Sequence, residues 1–290
     1  MPILDASFYG NIFSGTMLKR KIPKRKKKKK DMVAINSTRD TPGRFANQFI
    51  RNMAVHFIAR HNNLAIDYTE KEKMTALGVE LFSGNGQYEQ VYSVDDSNFF
   101  SLIEGAPLYI NIQLVHGTYA QTREFAMYLR DYFTTPTIQD QIILANRHRD
   151  RYQNNQDVFV HVRLGDVPHH NPGIKYYVEA LQRAQSEHGF SGGYLSSDTP
   201  DHPFCLYLKQ KYGLETWNGG EVETIQFANT CRILILSHGT FSWLMGLFGF
   251  HSQVYYPKVH TVWHGDIFVF EGWNEVEFQH LLDIDILSSH

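Results

Sequence analysis

The sequence predicts an α/β fold with parallel sheets, and three observations carry that prediction. Val158–Val162 is a β-branched and aromatic run that reads as a buried strand. Arg232–Ser237, with Ile233, Leu234, Ile235 and Leu236 at its centre, is unbroken apolar, the pattern of a parallel strand covered on both faces. Segments with helical spacing alternate with such runs along the chain, the order that builds βαβ units.

Taken in order, residues 1–30 read as a disordered basic leader. Lys19, Arg20, Lys21, Lys24, Arg25 and Lys26 to Lys30 crowd like charges that repel one another. A first domain is expected over residues 31–155. Met32–Asn36 reads as a strand, Ser37–Gly43 as a polar loop ending in Pro42-Gly43, and Ala46–His61 as a helix with Ala46, Phe49, Ile50, Met53 and Phe57 on one face. Leu64–Tyr68 is a second strand. Residues 70–115 give mixed signals, with a turn at Gly84-Asn85-Gly86. Helices are expected over Ala120–Tyr132 and Pro136–Tyr152, and Asn154-Asn155-Gln156 is a hinge.

A second domain is expected over residues 156–290. It opens with Val158–Val162 and continues with a helix over Lys175–Glu187 and a strand ending Gly193–Ser197. Asp198-Thr199-Pro200 starts a turn and a helix, and Glu221–Asn229 is another helix. After the Arg232–Ser237 strand come a tight turn at His238-Gly239-Thr240, a short buried helix over Phe241–Phe250 and a strand over Gln253–Tyr256. The expected architecture is two Rossmann-like domains facing each other.

Composition narrows the function classes. A chain of 290 residues is long enough for two ordinary domains. Cys205 and Cys231 give neither a disulfide framework nor a metal-ligand spacing, which suits a reducing compartment. The 15 histidines follow no metal-binding pattern, so no metal is expected. Ten of the 28 basic residues lie within 19–30, which leaves 18 basic against 29 acidic residues over 31–290, a net charge of −11. An acidic body argues against nucleic acid as a partner. The basic run reads first as a solvated linker and second as a peripheral contact with an anionic membrane surface. Residues 1–18 lack the order of a secretory signal, and the run Thr240–Phe250 is too short to span a bilayer, so a cytoplasmic protein is expected.

Three strand ends in the second half collect polar groups: Arg163 with Asp166, Ser197 with Asp198, and Ser237 with Thr240. In a parallel sheet all three project into one crevice at the carboxyl edge, where ligands bind. Arg163 offers a rigid fork of donors suited to phosphate. Gly165 permits a tight turn or a close approach. Thr240 opens a helix whose first amides favour an anion. The plainer alternatives are a structural Arg163–Asp166 ion pair and a simple helix cap at Thr240. In the first half, Gly43-Arg44-Phe45-Ala46-Asn47-Gln48 places amide side chains at a helix start, but is neither a dinucleotide fingerprint nor a P-loop.

Gly43-Arg44-Phe45-Ala46-Asn47-Gln48-Phe49, Gly117–Phe125, His161-Val162-Arg163-Leu164-Gly165-Asp166, Ser197-Asp198 and Gly239-Thr240-Phe241-Ser242-Trp243 follow one another in the order found in the α-1,2-fucosyltransferases. The chain resembles that family over about residues 31–260, and more distantly the α-1,6- and protein O-fucosyltransferases. The resemblance implies a GT-B-type architecture, with GDP-fucose as donor held by the second domain. It implies inverting, metal-independent transfer of fucose to a hydroxyl of a glycan acceptor, in α-1,2 linkage. It assigns catalysis to Arg163, Asp166 and His161, with Arg163 on the donor phosphates. It gives Thr240, Phe241, Ser197, Ser237 and Asp198 to the nucleotide, Asp198 near the guanine or ribose, and has Asn47 reach across from the first domain. Asp166, His169 and His170 are candidate general bases. Leu164 stands where the family often has a second arginine, Ala46 where it has a glycine, and Leu244 where it has a second tryptophan. Those departures make a catalytically inactive glycan- or nucleotide-binding descendant the alternative.

Overall fold

The computed structural model describes residues 36–38, 43–165, 171–258 and 265–277. The leader, Met32–Ile35, and Asp166, His169 and His170 lie outside the described residues. The first half runs β1 (Asn36–Ser37), α1 (Phe45–Asn62), β2 (Ile66–Asp67), α2 (Lys71–Ala76), β3 (Val91–Val94), α3 (Ser101–Glu104), β4 (Asn111–Leu114), α4 (Arg123–Phe133) and α5 (Pro136–Ala145). A 3-10 turn at Arg149–Arg151 leads into the second half. There the order is β5 (Asp157–Val162), α6 (Ile174–Glu187), β6 (Gly192–Ser197), α7 (Pro203–Tyr212), β7 (Leu214–Thr216), α8 (Glu221–Ala228), β8 (Ile233–Ile235), α9 (Thr240–Leu247), β9 (Gln253–Pro257) and β10 (Asn274–Val276).

The protein is therefore mixed α/β with parallel sheets, as the apolar runs predict. In the second half six strands pair in the order β10-β9-β8-β5-β6-β7, every pair parallel. Counted within this sheet alone, that is the doubly wound order, in which the direction of winding reverses between its first and fourth strands. The reversal falls between β5 and β8. The first half pairs only β1 with β2 and β3 with β4, both parallel.

Side-chain alternation along β5 sorts residues to two faces. Val158, Val160 and Val162 join Tyr176, Tyr177, Leu181 and Leu208 of α6 and α7 in one core. Phe159 points to the opposite face, into a second core shared with the first half. There Phe248 meets Phe49 of α1 edge-on at 5.6 Å and Phe133 of α4 at 5.0 Å between ring centroids. His161 and Arg163 continue the Phe159 face, so both project toward the side on which the first half packs.

The segment after β9 closes the shared core. The indole N–H of Trp243, on α9, donates to the Ile267 carbonyl at 2.7 Å. Phe268, Phe270 and Trp273 follow, with Trp273 edge-on to Phe270 at 4.8 Å.

Several boundaries differ from expectation. The helix expected to run to Tyr152 stops at Ala145, because the Asn146 amide leaves the helix to donate to the Gln226 carbonyl at 2.7 Å and to Tyr152 Oη at 3.0 Å. The helix expected from the Asp198 turn begins at Pro203, where the Pro ring fits the first turn. The buried helix after Gly239 ends at Leu247 rather than Phe250. β7 and β10 are additions to the expected set, as are α2, β3, α3 and β4 in the stretch of mixed signals over 70–115.

Candidate functional site

A cavity of about 220 Å³ opens beside the reversal point of the sheet. Its walls come from five stretches of the sequence. The start of α1 contributes Arg44, Ala46 and Asn47; the ends of β5 and β6 contribute His161, Arg163, Ser196, Ser197 and Asp198; the start of α9 contributes Thr240 and Phe241. Gly219, Glu221 and Thr224 complete it from the start of α8. Of the residues singled out from sequence, Asn47, His161, Arg163, Ser197, Asp198, Thr240 and Phe241 converge here. Ser237 does not line the cavity; it is wholly buried, and its N–H donates to Ser242 Oγ at 2.9 Å.

Arg163 is half-buried, and its guanidinium lies against Gly239. A Cβ added to Gly239 would fall 2.8 Å from Arg163 Nη1, and the backbone there has φ +143°. The φ favours glycine, and a side chain here would also push the guanidinium aside. Gly239 is also the N-cap of α9, so no side chain caps that helix and no acidic residue stands in its first turn. The first amides of α9 and the guanidinium thus present donors to the same space, a combination that favours an anion.

The Arg163 loop is held from behind. Asp198 accepts the Leu164 N–H at 2.9 Å on Oδ1 and the Gly165 N–H at 3.0 Å on Oδ2. A Cβ on Gly165 would stand 2.9 Å from Asp198 Oδ2. The Arg163 carbonyl accepts from Asn171 Nδ2 at 2.8 Å. Asp198 lines the cavity, yet both its oxygens serve the loop backbone. Ser197 Oγ accepts the Thr199 N–H at 3.1 Å and closes the turn after β6.

His161 is buried, and burial pushes its pKa down to about 4, with the Arg163 charge adding to the effect and Asp198 opposing it. The ring is therefore neutral near pH 7. Ser242 Oγ, which accepts from the Ser237 N–H, pairs with His161 Nδ1 at 2.6 Å. Phe241 packs beside the imidazole at 5.4 Å.

Asn47 joins the two halves. Its Oδ1 accepts from Thr240 Oγ1 at 2.7 Å and from Gln121 Nε2 at 3.0 Å. Glu221 is answered by Lys73 at 2.7 Å. Sequence reasoning did not place Ser196, Gly219, Glu221 or Thr224 in the cavity. The Gly219-Gly220 pair before α8 is a local signal for the last three, while Ser196 is marked only by its place at the end of β6. Among the described residues no three metal-ligating side chains converge, and no helix is long and apolar enough to cross a membrane. Comparison of the sequence with protein-family models and with curated proteins finds no match to either.

Proposed function

We propose that the chain is an inverting glycosyltransferase that moves fucose from GDP-fucose to a hydroxyl of a glycan, with α-1,2 linkage as the expected product. One observation carries the reading: Asn47, Arg163 and Thr240, from three separate motifs of the fucosyltransferase resemblance, meet around one cavity. The two halves act as facing GT-B-type domains, the donor held by the second. The reading also takes the protein to be cytoplasmic, with residues 19–30 touching an anionic membrane.

In this reaction the acceptor oxygen forms a bond to the anomeric carbon while the bond from that carbon to the diphosphate oxygen breaks. The electron pair leaves with the diphosphate. Arg163 and the α9 amides stand ready to offset the charge that develops there, which is preorganised electrostatic stabilisation; no metal ion is invoked. His161, neutral and buried, is a poor base near pH 7. The acceptor proton must go elsewhere, and Asp166, His169 and His170 remain the candidates for it.

Replacing Arg163 with Ala should lower transfer from GDP-fucose at least ~10²-fold, as loss of a comparable donor does. Near-normal turnover by that variant would sink the role. Calorimetry with GDP-fucose, run beside a donor-hydrolysis assay, separates the enzyme from an inactive descendant: binding without turnover identifies the latter.

A further inference from the structure

The cavity has two ends, and the sheet sets the distance between them. Arg163 follows β5, and the first amides of α9 stand beside it. Glu221 opens α8, which follows β7. β7 lies two strands from β5 in the sheet, about 10 Å along its edge. A nucleotide held at Arg163 by its phosphates would extend past Ser196 and Ser197 of β6 and bring its base to Glu221.

Two carboxylates line the cavity, and one of them has capacity to spare. Both oxygens of Asp198 accept loop amides. Thr224 is spent as well: its hydroxyl donates to the Gly219 carbonyl at 3.0 Å and accepts the Trp217 indole N–H at 3.1 Å. Glu221 Oε2 accepts from Lys73 Nζ at 2.7 Å, and no described residue bonds to Oε1. An ionised carboxylate offers about four acceptor positions, so Glu221 keeps most of them.

Lys73 is itself fixed. Glu70 pairs with it at 2.9 Å, and its ammonium lies 5.3 Å from the centre of the Phe45 ring. Phe45 begins α1, whose next residues line the cavity. Lys73 belongs to the first half, so the Glu221 carboxylate is held in place from across the junction of the halves.

A group that only accepts selects a ligand edge that only donates. Guanine alone among the common bases sets two donors side by side on its pairing edge, N1–H and the N2 amino group. Adenine and cytosine place an acceptor beside their amino group, and uracil flanks its single donor with carbonyls.

We propose that Glu221 reads the guanine edge of the bound nucleotide and that Lys73 positions it, so that selection of the base draws on both halves. The proposal rests on the donor nucleotide of the transferase reading, and it assigns the base to Glu221 instead of Asp198.

Isothermal calorimetry on the full chain with GDP and with inosine diphosphate tests it, because the two differ only in the N2 amino group. The unaltered chain should bind GDP at least about tenfold tighter, the worth of one hydrogen bond to a charged group. Glu221→Ala should make the two affinities equal, and Lys73→Met should narrow the gap. Arg163→Ala should weaken both nucleotides alike and keep their ratio. Glu221 and Lys73 are both partly exposed, so their variants should fold. Equal affinity of the unaltered chain for the two nucleotides, or a gap that survives Glu221→Ala, overturns the role of Glu221 while the nucleotide site stands. A gap unchanged by Lys73→Met overturns the positioning role. No saturable binding of GDP overturns the transferase reading, and this proposal with it.

Discussion

The two halves of the molecule meet the first cavity in different ways. The second half presents the ends of two neighbouring strands and the starts of two helices, all fixed by one six-stranded sheet. Its charged groups are braced from behind, as Asp198 braces the Arg163 loop. The first half has two separate two-stranded pairings and reaches the cavity only through the start of α1. One half supplies a rigid electrostatic platform, and the other closes on it through a helix end. Among the contacts that bind them are the aromatic packing of Phe248 on Phe49 and Phe133, the Asn47–Thr240 hydrogen bond and the Lys73–Glu221 ion pair.

That contrast can be broken most forcefully at Phe248. It is fully buried where the halves join, so Phe248→Ala should cost about 3–5 kcal/mol. Urea unfolding followed by circular dichroism should still give one transition, at lower denaturant. Two separated transitions would show that the halves fold apart.

Acid gives the next largest effect, because each half buries one neutral histidine. His56 and His161 have folded pKa values of about 4, below the ordinary 6.5. The unfolded chain therefore binds more protons between those values. Their contribution to stability is fully present above pH 6.5 and is lost as pH falls toward 4, by at most about 3 kcal/mol each. Unfolding free energy measured at pH 7 and pH 4.5 should fall accordingly, and His56→Leu and His161→Leu should each flatten the slope. Flattening by only one of them would assign the acid sensitivity to a single half.

Gly239→Ala follows. Its positive φ and the Arg163 contact make a strained backbone worth about 1–3 kcal/mol, and the displaced guanidinium should weaken GDP binding about tenfold. Gly213, at φ +64° with nothing within 4 Å of its added Cβ, is the control. Gly213→Ala should lower the melting temperature without altering nucleotide affinity. Equal GDP affinity in both variants would detach Arg163 from the anion. The smallest effect belongs to Asn47→Ala, which removes the bridge between halves. It should cost about 1 kcal/mol and raise the KM for donor more than it lowers kcat. An unchanged KM would leave the first half with no part in donor binding.

The second half was largely legible because its strands are continuous apolar runs. Val158–Val162 and Ile233–Leu236 announce burial on both faces whatever surrounds them. β3 and β4 announce nothing comparable: Val-Tyr-Ser-Val is mostly exposed and Asn-Ile-Gln-Leu is half polar. The end of α5 depended on a carbonyl 80 residues away, which no local pattern records. The same holds at the site. Arg163 stood out as a charge at a strand end, whereas the role of Asp198 rests on amides 33 and 34 residues earlier. Ser237 looked like a cavity residue by its place at a strand end, but the chain turns so that its backbone faces Ser242 instead.

The segment around Ile267 sets a practical limit on how the chain can be shortened. It holds the indole of Trp243, pairs β10 to β9 and brings Phe268, Phe270 and Trp273 against α9 and its neighbours. A chain trimmed at Lys258 would keep every residue that lines the first cavity. It would nonetheless uncover Trp243 and leave β9 as a bare edge open to pairing with another molecule. Its first failure would be self-association, with the chemistry of the cavity still in place.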